Sequence, residues 1–230
     1  MRLLTNDDIQ CIYQIVLEND TLEYLNRYVP LPIEKNDKLW DWRDKAFSRV
    51  IEVLEFERLV QEYNIQPRKV LVGSLNDPEL EYINPEVVVG IDYDAITGMN
   101  DLHALDWPEK DFDLVLLGKT LEHLYNPILA LERLWEHLVP GGYLFASVPV
   151  ITIQHSTPFH YYMGFTPVGI GCICEAAGFE VLHIGQWGNI KYTNKVFCTK
   201  TWPDYRIPEE LLRNEFENPA SAWVLARRSI

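Results

Sequence analysis

The sequence predicts an α/β fold in which a mainly parallel sheet is covered by helices on both faces. Two observations predict it. Short, β-branched apolar runs occur at residues 69–72, 87–91, 112–117 and 143–148, each closing at or near a glycine, an acid or a proline. Between the last two lies an amphipathic helical stretch at 127–138, opened by Pro127 and closed by Val139-Pro140-Gly141-Gly142. Strands that alternate with helices cannot be joined by hairpins, so they pair in parallel and both sheet faces are buried.

The remaining elements follow in chain order. Residues 5–28 read as a helix with Ile9, Ile12, Ile15, Val16, Leu22 and Leu25 at helical spacing, broken by Val29-Pro30-Leu31-Pro32. A second helix is expected over about 38–63, with Phe47, Val50, Ile51, Leu54 and Leu59 as its inner stripe. These helices make an N-terminal extension over residues 1–65, ahead of a domain at 66–230. After Pro149 an aromatic, irregular segment leads to Thr166-Pro167, which cap and open a helix that stops at Gly178. Residues 180–184 and 222–226 read as two late strands joined by a long, proline-containing connection.

Charge and composition restrict the function. Asp and Glu outnumber Lys and Arg by 34 to 20, a formal charge of −14. Phosphate neutralisation needs a basic surface, so nucleic acid and anionic membranes are disfavoured as partners. No apolar run reaches the ~18 residues of a membrane span. The opening MRLLTNDDIQ lacks the basic head and apolar body of a signal peptide, so a cytoplasmic protein is expected. Cys172 and Cys174 are one residue apart, too close for a zinc knuckle, and the four cysteines read as buried free thiols.

In open α/β sheets ligands sit beyond the carboxyl ends of the strands. The first strand ends in Gly73-Ser74, where a glycine admits close backbone approach. The second ends at Asp92, an acid placed to accept from both ribose hydroxyls. Asp101 is placed to accept from an adenine amino group, and the next strand ends in Gly118-Lys119.

The segments Asp101-Leu102-His103-Ala104-Leu105-Asp106-Trp107, Phe112-Asp113-Leu114-Val115, Leu121-Glu122-His123-Leu124 and Leu138-Val139-Pro140-Gly141-Gly142 resemble, in order and spacing, the Rossmann-like (class I) S-adenosylmethionine methyltransferases of type 11. Residues 161–179 resemble the family's later Phe-Thr-Pro region, and 218–227 its antiparallel last strand. The resemblance implies a seven-stranded sheet, S-adenosylmethionine as cofactor, and Gly73, Ser74, Asp77, Asp92, Tyr93, Asp101, Leu102, Gly118 and Lys119 around it. The chain departs from the family at its glycine motif. Leu71 replaces an acid that commonly holds the methionine amino group, and Leu75 and Asp77 replace glycines. Asn76 or Asp77 is the expected substitute.

An alcohol acceptor needs its proton removed, and histidine is the commonest side chain for that work. The family geometry puts His123 near the methyl position and His155 on the acceptor side, leaving the base open between them. His160, Tyr161 and Tyr162 belong to the same aromatic segment and are the candidate acceptor contacts, with Trp40, Trp42 and Trp187 nearby. Related small-RNA methyltransferases bind a divalent metal through Glu-x-x-Glu-His. Here the first position is Lys119, and an ammonium disfavours a cation, so no metal is expected. The expectation is O-methylation of a sugar or other small-metabolite hydroxyl. The competing reading is a non-catalytic scaffold that has lost its cofactor. A nicotinamide dehydrogenase is excluded, because Gly73-Ser74-Leu75-Asn76-Asp77-Pro78 lacks the dinucleotide glycine pattern.

Overall fold

The computed structural model describes residues 1–18, 26, 45–91, 101–151, 153 and 163–229. Leu22, Leu25, the Pro30-containing breaker, Trp40, Trp42, Asp92, Tyr93, His155, His160, Tyr161 and Tyr162 lie outside the described residues. The helices are α1 (Asn6–Glu18), α2 (Phe47–Glu62), α3 (Pro127–His137), α4 (Pro167–Ala176), α5 (Ile190–Thr199) and α6 (Glu209–Leu212). The strands are β1 (Lys69–Val72), β2 (Val87–Gly90), β3 (Phe112–Gly118), β4 (Leu138–Pro149), β5 (Phe179–Trp187) and β6 (Ser221–Arg228).

The strands form one sheet in the order β2-β1-β3-β4-β6-β5. The first four run parallel, and β6 is antiparallel to both β4 and β5. Six strands form among the described residues, not seven. Beyond β2 the chain leaves the described residues at 92–100, and Leu102–Ala104 is a 3-10 turn rather than an edge strand.

Alternation along the strands divides the core in two. Val70, Val72, Leu114 and Leu116 face α2 and α5, whereas Leu71, Val115 and Leu117 face α1, α3 and α4. Ile12 and Val16 anchor α1, while Ile9 of the expected stripe is exposed. Thus both N-terminal helices pack on the sheet, one on each face.

Several boundaries differ from the sequence reading. α2 starts at Phe47, not near residue 38, because Ala46 is extended (ψ 130°) and the Phe47 N–H is held by the Pro203 carbonyl. α3 ends at His137 and β4 begins at once. The Pro-Gly-Gly run bulges out of that strand, shifting its register on β3 between Phe112 and Leu114. Gly141 has a left-handed φ of 81°, and a Cβ on Gly142 would lie 2.9 Å from the Val139 carbonyl oxygen. The long, proline-containing connection before β6 contains α5 and α6. Asn189 caps α5 by accepting from the Tyr192 N–H at 2.7 Å. As expected, Thr166 caps α4, accepting from the Gly169 N–H, and Gly178 (φ 102°) follows its end.

The crossover from β1 to β2 holds only a 3-10 turn at Pro78–Tyr82, with Pro78 in its first position. Pro85 forces Asn84 away from helical backbone, so a longer helix has no room before β2. No helix among the described residues is long and apolar enough to cross a membrane. Cys174 is buried, but Cys11 and Cys198 are exposed, contrary to the reading of all four as buried; the described thiols are free.

Candidate active site

The parallel order places the carboxyl ends of β1 and β3 side by side, with their following loops in contact. The Gly73 N–H donates to the Leu116 carbonyl at 3.0 Å. A Cβ on Gly73 would lie 3.1 Å from Thr120 Oγ1 and 4.0 Å from Asp77 Oδ2, so both loops close around this glycine. The replaced glycine positions are accommodated by a tight turn. Ser74 accepts from the Asn76 N–H through its hydroxyl and from the Asp77 N–H through its carbonyl. Leu75 points to solvent at 53% exposure, Asn76 is also exposed, and Asp77 turns inward.

Asp77 Oδ2 is buried with no hydrogen-bond partner among the described residues. Burial first, then repulsion from Glu79, raises its pKa to about 6 against the pull of Arg49. The folded protein therefore binds this proton more tightly than the unfolded chain. The associated stability is complete below the unfolded value and is lost as pH rises from about 4 to 6. Asp77→Asn is accordingly expected to raise stability at pH 8 by roughly 3 kcal/mol and to leave it unchanged at pH 3. Urea unfolding at the two pH values checks this.

A second layer comes from α2. Arg49 donates to both carboxylate oxygens of Glu79, at 2.5 and 2.6 Å, and lies 3.6 Å from Glu52. Burial opposes its charge, but Glu79 first, then Glu52 and Asp77, holds the guanidinium above its ordinary range. A Cβ on Gly118 would meet Arg49 Nη2 at 2.8 Å, so only glycine lets this cation lie over the end of β3. Lys119 has a left-handed backbone (φ 54°), rare for a residue with a Cβ. Its N–H donates to the Ser147 carbonyl, and its ammonium pairs with Glu52 and reaches Ser221 Oγ at 3.0 Å. Glu52 is fully buried and also accepts from the Ser221 hydroxyl.

Between α2, α5 and the carboxyl ends of β3 and β4, beside the β1 loop but not lined by Gly73, Ser74 or Asp77, lies a cleft of about 210 Å³. Arg49, Lys119 and Glu122 are among its charged lining, with Ser48 and Thr193 hydroxyls and the Trp202, Tyr192 and Ile151 side chains. Burial pushes the Tyr192 hydroxyl up to about 12, and it donates to the Pro203 carbonyl, so it is no base at neutral pH. Glu122 is buried on the 3-10 turn Leu121–His123, with an oxygen 4.0 Å from His123 Nε2. On the other flank of this turn, Asp101 caps Leu102–Ala104, Leu102 is buried, and Trp107 packs against the core.

The structure thus gathers Gly73, Ser74, Asp77, Gly118 and Lys119 around two strand ends. Sequence reasoning missed Arg49, Glu52, Glu79, Thr120 and the α5 wall. The available signal was the pair Arg49 and Glu52, three apart on the apolar face of α2.

Residues 78–146 match a family described as methyltransferase domain. The chain has a Rossmann-like, class I methyltransferase fold. The structure of Burkholderia thailandensis 1,6-didemethyltoxoflavin-N1-methyltransferase, with 1,6-didemethyltoxoflavin and S-adenosylhomocysteine bound, is similar at a TM-score of 0.50 and 15% identity, covering 100% of this chain and 93% of that one. A possible exported protein from Bordetella parapertussis is similar at a TM-score of 0.51 and 17% identity, covering 80% and 69% of the two chains. No curated protein matches the chain.

Proposed function

We propose that the protein is an S-adenosylmethionine-dependent methyltransferase of the cytoplasm, acting on a hydroxyl of a sugar or another small metabolite. The observation that carries the cofactor reading is the buried, unpartnered Asp77 oxygen beside Gly73. A buried acceptor without a donor is costly, and the ammonium of a methionine moiety satisfies it. Asp77 thereby takes over the role of the acid that Leu71 replaces. Gly73 and Ser74 give the backbone approach, Asp92 with Tyr93 the ribose side, Asp101 and Leu102 the adenine side, and Gly118 with Lys119 the edge nearest the reacting methyl.

When bound, the cofactor supplies an electrophilic methyl group on a sulfonium centre. The protein holds the acceptor oxygen in line with that methyl and takes its proton. His123 is the base best supported by the described residues, because buried Glu122 beside it stabilises the imidazolium that forms. His155 is the alternative base, and His160, Tyr161 and Tyr162 are proposed acceptor contacts. The cleft supports a polyol-like acceptor, combining an exposed indole face at Trp202 with hydroxyl and charged groups. Lys119, paired with Glu52, occupies the position a metal ligand would need, which supports a metal-independent reaction.

A second reading has its own support. Arg49 lies directly over Gly118, as expected of a scaffold that has filled a vacated cofactor path. Transfer of labelled methyl to a panel of sugars and small alcohols, with and without EDTA, tests the enzymatic proposal. Methyl incorporation at oxygen, unchanged by EDTA, is the expected result. Incorporation at nitrogen only, or activity lost to EDTA and restored by magnesium, overturns the respective part.

A further inference from the structure

We infer that His103 is a positioning residue that fixes the Asp101 carboxylate for recognition of the 6-amino group of adenine; this rests on the cofactor reading above. The His103 ring is nearly enclosed, with its side chain 7% exposed. Its Nε2 receives the backbone N–H of Asn126 at 3.3 Å. That N–H can only donate, so Nε2 must carry the lone pair and the ring proton sits on Nδ1. Nδ1–H then donates to Asp101 Oδ1 at 2.6 Å, and the His103 backbone N–H donates to the same oxygen at 2.9 Å.

Two donors on one oxygen remove the freedom of the carboxylate to rotate. Oδ2 takes no hydrogen bond among the described residues, and the Asp101 side chain keeps 35% exposure. One oxygen is therefore clamped, and the other is presented as a pure acceptor. The clamp is itself supported from two sides. Tyr125 stacks on the imidazole, with centroids 4.0 Å apart and planes 22° from parallel. Asn126 also caps α3, accepting from the Leu129 N–H at 3.3 Å. The loop after β3 thus sets the orientation of an acid that follows β2 in the chain.

A fixed acceptor discriminates between an exocyclic amine and a carbonyl at the same ring position. An amine donates to Oδ2, whereas the 6-carbonyl of hypoxanthine repels it. A charge-assisted hydrogen bond of this kind gives a preference of roughly ten- to a hundredfold.

The test is calorimetric titration of S-adenosylhomocysteine and S-inosylhomocysteine into wild type, His103→Phe and His103→Asn. Wild type is expected to prefer the adenosyl compound. His103→Phe keeps a ring on Tyr125 but loses the donor, so the preference is expected to collapse toward unity. His103→Asn places an amide N–H near the Nδ1 position and is expected to restore most of it. A purely structural role would weaken both ligands alike and leave their ratio unchanged, which overturns the inference. An unchanged ratio in His103→Phe with wild-type affinity overturns it too. Failure of wild type to bind either compound instead removes the cofactor reading, and this inference with it. Should the variants not fold, ¹⁵N NMR of histidine in the wild-type protein decides: an Nδ1–H tautomer at His103 supports the clamp, and an Nε2–H tautomer overturns it.

Discussion

Replacing Glu52 by alanine is expected to lower the unfolding free energy by about 3–5 kcal/mol, the range for breaking a buried ion pair from one side. Glu52 is fully buried and is the shared acceptor for the Lys119 ammonium and the Ser221 hydroxyl, with Arg49 at 3.6 Å. Without it, among the described residues, Lys119 retains Ser221 and Arg49 retains Glu79 with the more distant Asp77 charge. The Lys119 side chain keeps 29% exposure, which favours the lower end of the range. The left-handed backbone at Lys119 also loses the side-chain anchor that helps to hold it. Glu52→Leu combined with Lys119→Met is expected to recover most of the loss, because two apolar groups leave no orphaned charge. Chemical unfolding of the three variants at neutral pH measures the effect. A loss below about 1 kcal/mol in Glu52→Ala would show that water reaches the pair.

The second large effect is catalytic. His123→Ala is expected to lower kcat by roughly 10²–10⁴-fold, the usual contribution of a general base. Affinity for S-adenosylhomocysteine is expected to stay at the wild-type level, because the role proposed for His123 concerns the acceptor proton and not the cofactor. Glu122→Gln is expected to give a smaller loss in kcat, since it removes only the charge that stabilises the imidazolium. The measurement is steady-state methyl transfer over a range of pH. An unchanged kcat in His123→Ala would move the base to His155.

Much of the sheet was legible because its strands announce themselves locally. Residues 70–72 and 114–117 are unbroken apolar runs with sharp ends, and Thr166 and Gly178 mark α4 at both ends. The β1–β2 crossover was less legible. Pro78 is a favourable helix opener by itself, but Asn84-Pro85 limits the turn to five residues. α5 was missed because its apolar residues are interleaved with Lys, Thr and Asn, and it buries mainly Tyr192 and Val196. Its start depends on the Asn189 cap, which is easily taken for a loop residue.

The site divides along the same line. Gly73, Asp77, Asp101 and Gly118 follow from where strands end, a rule that sequence can apply. Arg49, Glu52 and Glu79 do not, because a charged residue on a helix ordinarily faces solvent. Only the tertiary arrangement shows that α2 turns Arg49 and Glu52 inward over β3, where the 3-10 turn at Pro78–Tyr82 brings Glu79 to meet them. Likewise, the sequence offers both Asn76 and Asp77 as replacements for the lost acid, and the proposal of Asp77 rests on the turn at Ser74, which leaves Asn76 exposed.

Calorimetric titration of S-adenosylhomocysteine into the wild-type protein and Asp77→Ala tests the central claim most directly. Saturable binding with one site per chain is expected, weakened roughly tenfold or more in Asp77→Ala and unchanged in Asn76→Ala. Absence of binding to the wild type at millimolar ligand would contradict the account and favour the scaffold with Arg49 closed over Gly118.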